Sequence, residues 1–540
     1  HITPGSSFDK SAYIKGVEII NAMKADLVVC TGDITSTGLR KDYELAKTLL
    51  PEIKNQVYYT IGNHDARNVG YKLFEAYFGK RKCYYEKDNF VLYMYDSTIP
   101  DLDNGRIGRL SIKELKEELK KAPEDKIKIV AFHHHLLPVP ETGRERNILL
   151  DGGDVLEAIL DCNVDIVLNG HRHMPNVYQI ENTIVSNAGG FSCEKVRAGS
   201  EHSFNSLYIY PNGKTKVLIH YIESGKYMGI FKEKKSSIPP ADFGLGPGGF
   251  NPHSAIPNPQ SGSPYLRIVH ISDTHFTTLY DFREDIFDKG VQQINKLNPD
   301  LVVHTGDVTH DGLPEDFDLA MQKIDSINAP VLMLPGSHDL LHLGQFMFKE
   351  YSDTFLKTKH KTKHINKESS MALQVNDVDI DYNEFIKVID NNVFGLVAIN
   401  TAVFDDPSGL VGRRNLSLVQ DELKKIPKEK IKIVAFHHHI LPVPRTREGH
   451  IIEDAGNVLK TLVDSDVDII LTGHRHTFNC TQIENSIVVN ANTFSSRRGL
   501  QKCRNSFNII DVTQNRIVII KEKCISSNTE KIHGVYRLGG

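Results

Sequence analysis

The sequence lacks any apolar run approaching the roughly 18 residues that a membrane-spanning helix needs, so a membrane anchor of that kind is not expected within it. It lacks a basic excess as well. Its 64 lysines and arginines against 68 acidic residues leave a net charge of −4, which disfavours nucleic acid or a membrane surface as partner. A disulfide framework is also missing. The cysteines, Cys30, Cys83, Cys162, Cys193, Cys480, Cys503 and Cys524, are odd in number and scattered, and read as reduced, mostly buried thiols of a cytoplasmic protein. The chain opens at His1 without an initiator methionine, which leaves room for an upstream segment such as a signal peptide. At 540 residues it exceeds one ordinary core, and 40% hydrophobic with 24% charged residues fits a globular protein.

What the chain does contain, it contains twice. Thr31-Gly32-Asp33, Gly62-Asn63-His64-Asp65, His133-His134-His135 and Gly170-His171-Arg172-His173 return in order as Thr305-Gly306-Asp307, Gly336-Ser337-His338-Asp339, His437-His438-His439 and Gly473-His474-Arg475-His476. Asp307 and His338 each follow their counterparts by 274 residues, whereas His437 follows His133 by 304 and His474 follows His171 by 303. An insertion therefore sits between the early and late motifs of copy two, around Lys357–Asn391, where the run KTKHKTKHINKESS reads as a solvated loop. Residues 236–264 are rich in Gly, Pro and Ser and read as a linker. The expected domains are 1–235 and 265–530.

Each motif follows a short apolar run: Ala25–Cys30, Val57–Ile61, Ile127–Phe132 and Val164–Leu168 in copy one, Pro299–His304, Val331–Leu334, Ile431–Phe436 and Val467–Leu471 in copy two. Between them lie segments with leucines at helical spacing, such as Ser111–Lys121 and Ser417–Lys425. Strands alternating with helices imply α/β layering, and in such sheets ligands collect at the carboxyl ends of strands. The residue types suit metal. A carboxylate such as Asp307 has lone pairs for two cations, and imidazoles suit zinc, iron and manganese. Two ions about 3.5–4 Å apart would clamp a phosphate and acidify a water between them.

Together with Asp273-Thr274-His275 after the strand Tyr265–Ile271, these motifs resemble the calcineurin-like metallophosphoesterase superfamily, with its D-x-H, G-D, G-N-H-[DE], H and G-H-x-H pattern. The style of the histidine motifs looks most like its cyclic-nucleotide phosphodiesterases. The resemblance implies two α/β metallophosphoesterase domains, each a two-sheet β sandwich flanked by helices, possible partners in an intrachain pseudo-dimer. It implies two divalent or trivalent transition metals (Mn, Fe or Zn) per intact site and a hydroxide between them attacking a small phosphoester, with nucleotides among the candidates. In copy two, Asp273, His275, Asp307 and His476 would hold the first metal, and Asp307, Ser337, His437 and His474 the second. In copy one the first set is His1, Asp33 and His173, and the second Asp33, Asn63, His133 and His171. His64 and His338 would contact the phosphate and assist the leaving group.

Each copy departs from the pattern once. Ser337 stands where the family has Asn, and a hydroxyl is the poorer neutral ligand. His1-Ile2-Thr3 aligns with His275-Phe276-Thr277, so the D-x-H aspartate of copy one would precede His1; a missing central strand would expose a sheet edge, and a truncated record of the domain is the expectation. His438 and His439 read as outer support, Asp65 and Asp339 as either orienting the neighbouring histidine or capping a loop, and Arg172 and Arg475 as solvated or salt-bridged. Rival functions are phosphomonoester hydrolysis and a chain in which one copy is a non-catalytic scaffold.

Overall fold

The computed structural model describes residues 1–4, 8–87, 89–193, 199–210, 214–233, 264–348, 350–351, 374–377, 386–447, 449, 451–501 and 503–539. The segment read as a linker lies outside them except for Pro264, and so does the polar run 357–370. The chain separates into two compact units: His1–Lys235 with Leu441–Gly449 and Asp454–Leu459, and the remainder.

In the second unit one sheet runs in the order Val331–Met333, Leu301–His304, Leu266–Ile271, Ser506–Val512, Ile517–Cys524, Glu530–Arg537. The first three strands are parallel, and Leu266–Ile271 meets Ser506–Val512 antiparallel. The other sheet runs Gln374–Asp377, Ile386–Asp390, Phe394–Ile399, Ile431–Ala435, Ile469–Thr472, Ser486–Asn490, Asn479–Ile483. Side chains of a strand alternate between faces. Leu266, Ile268, Leu301 and Val303 accordingly meet Leu396, Ile433, Leu471 and Val489 in the core between the sheets. Val269, Ile271 and Val302 point the other way, onto Phe287, Val291 and Ile294 of the helix Glu284–Leu297 and onto Phe317 and Ala320 of Pro314–Ile324. Helix Glu284–Leu297 opens on two acidic residues, carries Lys296 in its last turn, and stops at Asn298 in the left-handed region (φ 46°).

The first unit follows the same order of elements, with its strands divided among three sheets where the second unit has two large ones. Val28–Cys30 pairs in parallel with Val57–Tyr59. A second sheet runs Asn176–Ile180, Thr183–Asn187, Ile166–Asn169, Ile127–Ala131, Phe90–Met94, Cys83–Glu86, and a third Tyr227–Glu233, Lys214–Tyr221, Ser203–Ile209. The α/β class and the sandwich flanked by helices thus hold. The expected strands appear one to three residues shorter at their ends, and the expected helices begin earlier, at Arg109 and Arg413. Of the insertion in copy two, Gln374–Asp377 adds an edge strand to Ile386–Asp390. No helix among the described residues is long and apolar enough to cross a membrane.

One expectation fails. Cys503 and Cys524 are joined in a disulfide, Cα to Cα 5.9 Å, while Cys30, Cys83, Cys162, Cys193 and Cys480 are outside any disulfide among the described residues. The pairing comes from sheet register, which brings Ser506 opposite Cys524, and cysteine counting carries no such information.

The second unit also buries two histidines beneath its strand ends. His270 lies against Thr305 and Asn508, and His304 against Thr274 and the Gly306 amide. Burial, with each other's proximity for His270, drops their pKa values to about 3 and about 4. Both lie below the unfolded value near 6.5, so as pH falls the unfolded chain takes up these protons first. Stability is complete above about pH 6.5 and drains away toward pH 4, by up to about 1.4 kcal/mol per pH unit for each histidine. In chelator-treated protein, His270→Gln is expected to flatten the dependence of unfolding free energy on pH between 6.5 and 4; parallel curves for variant and parent would contradict this.

Candidate metal centres

The ligand candidates stand where strands run out into tight turns, and the turns are strained. Asp33, His171 and His173 have φ of 56°, 70° and 54°, and Asp273, His275, Asp307, His474 and His476 have φ of 53°, 50°, 51°, 70° and 48°. Non-glycine residues in this region cost about 1–3 kcal/mol each and persist where the surroundings over-determine them. Here the over-determination is visible. Asp65 accepts hydrogen bonds from the backbone N–H of Ile34 (3.1 Å), Thr35 (2.7 Å) and Gly62 (3.0 Å) and from the Thr35 hydroxyl (2.8 Å). Asp339 does the same for Val308, Thr309 and Gly336. These aspartates clamp two turns together, the loop-capping alternative. The close approach explains Gly62 and Gly336: a Cβ on either would lie 2.2 Å from the amide nitrogen of Asp33 or Asp307.

In copy two, Asp273, His275, Asp307 and His476 converge with their ligand atoms within 4.8 Å of one another, all buried. His275 Nε2 faces His476 Nε2 at 3.1 Å and Asp307 Oδ2 at 3.7 Å. The other carboxylate oxygen of Asp307 lies 3.3 Å from His437 Nε2, which in turn is 3.2 Å from His474 Nδ1. Asp307 therefore stands between two groups of donors. Ser337 stands in the same turn, immediately before His338.

Copy one has the same layout. His1 Nε2 lies 2.9 Å from His173 Nε2 and 3.4 Å from Asp33 Oδ2, which is also 3.4 Å from His133 Nε2. Asn63 Oδ1 closes the second group, 3.0 Å from His133 Nε2 and 3.2 Å from His171 Nδ1. His1 is placed by its backbone: Ile2 bridges Thr35 as Phe276 bridges Thr309.

The catalytic candidates are fixed alike. His64 N–H donates to Asp33 Oδ1 (2.9 Å) and its Nδ1 donates to the Ser36 carbonyl (2.8 Å). His338 does so to Asp307 Oδ1 (2.9 Å) and the His310 carbonyl (2.6 Å). Of the three consecutive histidines the first reaches the carboxylates in both copies. The second is locked: His134 Nδ1 takes the Ser97 hydroxyl and Nε2 donates to the Asp103 carbonyl, matched by His438 with Thr401 and Pro407. Burial and the adjacent histidine hold both rings well below the usual histidine range, hence neutral. The third, His135, pairs with buried Glu145 at 2.6 Å. Arg172 is buried rather than solvated; its guanidinium donates to the carbonyls of Thr142, Arg144 and Arg146.

Several neighbours carried no motif. Arg67 pairs with Asp103, which accepts from Asn63 Nδ2 at 2.9 Å. Around His310 in copy two stand Asp281 (3.6 Å) and Arg498 (3.4 Å). The Cys193 thiol lies with His1 and His173 in one possible ligand group. Apart from Arg67, which follows Asn63 by four residues, each is remote in sequence from the ligands it joins, so only folding reveals it.

The electrostatics fit cations. Burial opposes ionisation of Asp33 and Asp307, yet His133 and His437 override it and hold both carboxyls well below the usual range. Burial likewise resists charging of His437, but Asp307 raises its pKa to about 9. Because His437 Nδ1 is committed to the Thr305 carbonyl, the positive charge is called for at Nε2, the atom facing the carboxylate. Paired Nε2 atoms share one hydrogen-bond proton at most, whereas a cation would use both lone pairs. Among the described residues Asp273 Oδ1 and His275 Nδ1 lack a hydrogen-bond partner.

Buried carboxylates and imidazoles meeting at the strand ends of a helix-flanked sandwich define a phosphoric ester hydrolase of the metallophosphoesterase type. The chain belongs to the calcineurin-like phosphoesterase family, whose pattern matches residues 3–175 and again 266–478, one match per copy. It is 25% identical over 234 residues to a glycerophosphodiester phosphodiesterase of Enterobacter lignolyticus, covering 41% of this chain and 75% of that protein. It is 27% identical over 150 residues to a 3',5'-cyclic-nucleotide phosphodiesterase of Nostoc, covering 27% of this chain and 56% of that protein. A 3',5'-cyclic adenosine monophosphate phosphodiesterase of Haemophilus influenzae is 25% identical over 222 residues, covering 39% of this chain and 79% of its own.

Asp65→Ala removes four accepted hydrogen bonds from a buried turn and is expected to destabilise the first unit by about 2–4 kcal/mol. Urea unfolding with metal chelated reads this directly, and a loss under 1 kcal/mol would count against the clamp.

Proposed function

We propose that the chain is a metal-dependent phosphodiesterase acting on small diesters, cyclic nucleotides among them, with the sets named above holding two Mn, Fe or Zn ions in an intact site. The observation that carries this reading is the single buried carboxylate, Asp33 or Asp307, set between two groups of imidazole nitrogens in each copy. Bound ions would polarise the phosphate and acidify a water. With Nδ1 of His64 committed to the Ser36 carbonyl, its Nε2 is the atom free to hold a proton toward a phosphate or leaving-group oxygen. Arg67 adds positive charge beside that ring. The choice of diesters over monoesters draws on relatives named as phosphodiesterases.

The second reading, that copy two is a scaffold, is favoured by Ser337, which replaces an amide ligand. The Cys503–Cys524 bond weighs for an oxidising compartment over the cytoplasm expected above, since disulfides persist where thiols are not held reduced.

Chelation is expected to abolish hydrolysis of bis-p-nitrophenyl phosphate, and Mn2+ to restore it, with the diester turned over at least about tenfold faster than the monoester. A reversed preference would sink the diesterase assignment, and full activity after chelation would sink the metal. His64→Ala is expected to remove most of the turnover, by about 10²-fold or more in its own copy. If His338→Ala removes as much, copy two is catalytic and the scaffold reading fails; if neither matters, both sites are misassigned.

A further inference from the structure

Copy two differs from copy one by more than its missing asparagine. In copy one, Asn63 Nδ2 donates to Asp103 Oδ1 (2.9 Å), and Arg67 grips the same carboxylate. The Asp103 backbone is itself pinned, because its carbonyl accepts from His134 Nε2 (3.1 Å). The matching carbonyl in copy two is that of Pro407, which accepts from His438 Nε2 (3.2 Å), so residues 103 and 407 occupy equivalent places. Residue 67 corresponds to Leu341 by the 274-residue offset that relates Asn63 to Ser337. Asn63, Arg67 and Asp103 are thus replaced together by Ser337, Leu341 and Pro407, while the histidines around them keep their geometry.

The chemistry explains why the three belong together. The two ends of an amide are opposites: the oxygen offers lone pairs and the NH2 only protons. A half-turn of the side chain would point protons at His133 and His171, and an acceptor on Nδ2 forbids that turn. Groups that orient ligands in this way commonly set metal affinity within about 10–100-fold.

We propose that Asp103, held by Arg67 and His134, is a positioning residue that fixes the Asn63 amide with its oxygen toward the second-metal donors, and that copy two has lost this whole device rather than one ligand. This rests on the reading of Asn63, His133 and His171 as a metal site. Its consequence is that restoring the asparagine alone does not restore copy two.

The test uses the full chain, Mn2+ as the probe, binding isotherms with the spin-coupled electron paramagnetic resonance signal of an ion pair as readouts, and thermal unfolding to verify folding. Asp103→Leu, which has no acceptor, is expected to weaken one Mn2+ per chain by 10–100-fold and to reduce the coupled signal. Asp103→Asn, which keeps an acceptor oxygen, is expected to stay within about threefold of the parent. In copy two, Ser337→Asn is expected to leave the number of tight Mn2+ ions unchanged, whereas Ser337→Asn with Leu341→Arg and Pro407→Asp adds one. Unaltered Mn2+ binding in Asp103→Leu, or equal loss in Asp103→Asn, overturns the proposal while the metal site stands. A parent chain that binds no Mn2+ pair overturns the site and the proposal together.

Discussion

In each unit one aspartate, Asp33 or Asp307, ties three separate stretches of chain into one point. One oxygen accepts the backbone N–H of the following motif's histidine, at 2.9 Å in both copies. The carboxylate also meets imidazoles brought from far along the chain, His133 and His437 among them. A buried carboxylate without compensation is costly, so these groups must arrive together or the site does not form. The glycines opposite, the clamping aspartates 65 and 339, and the left-handed turns all follow from letting this carboxylate stand so close to its neighbours.

Much of this was legible in the sequence because strand ends and motifs coincide. Thr31-Gly32-Asp33 announces both where Val28–Cys30 stops and which oxygen is presented, and the same logic places His133, His171 and their counterparts. What was not legible are interactions whose partners lie on loops without a pattern. Nothing near Asp103 in sequence signals that it will hold the Asn63 amide, and nothing around Cys503 signals Cys524. The surroundings of Arg172 were hidden for a related reason: a short motif shows that it sits beside ligands, but the three carbonyls from residues 142–146 that receive its guanidinium follow no pattern.

The duplication supplies its own comparison, because one backbone plan carries two sets of side chains. The middle histidine of each triplet makes the same pair of bonds, to a hydroxyl and to a carbonyl. Ser97 with Asp103 and Thr401 with Pro407 differ as residues yet serve as equivalent anchors. The backbone role was retained while the side-chain role at Pro407 was not. Structure and ligand chemistry have therefore diverged at different rates within one chain.

The nitrogens of His1 and His173 that face each other are 172 residues apart, and those of His275 and His476 are 201 apart. Local contacts form early and such distant ones late, so neither pair of histidines meets until the chain as far as His173 or His476 has been made and has folded back. If these groups hold metal as proposed, a cation offered to a nascent domain would find only part of its ligands. Occupancy by metal would then report a finished domain.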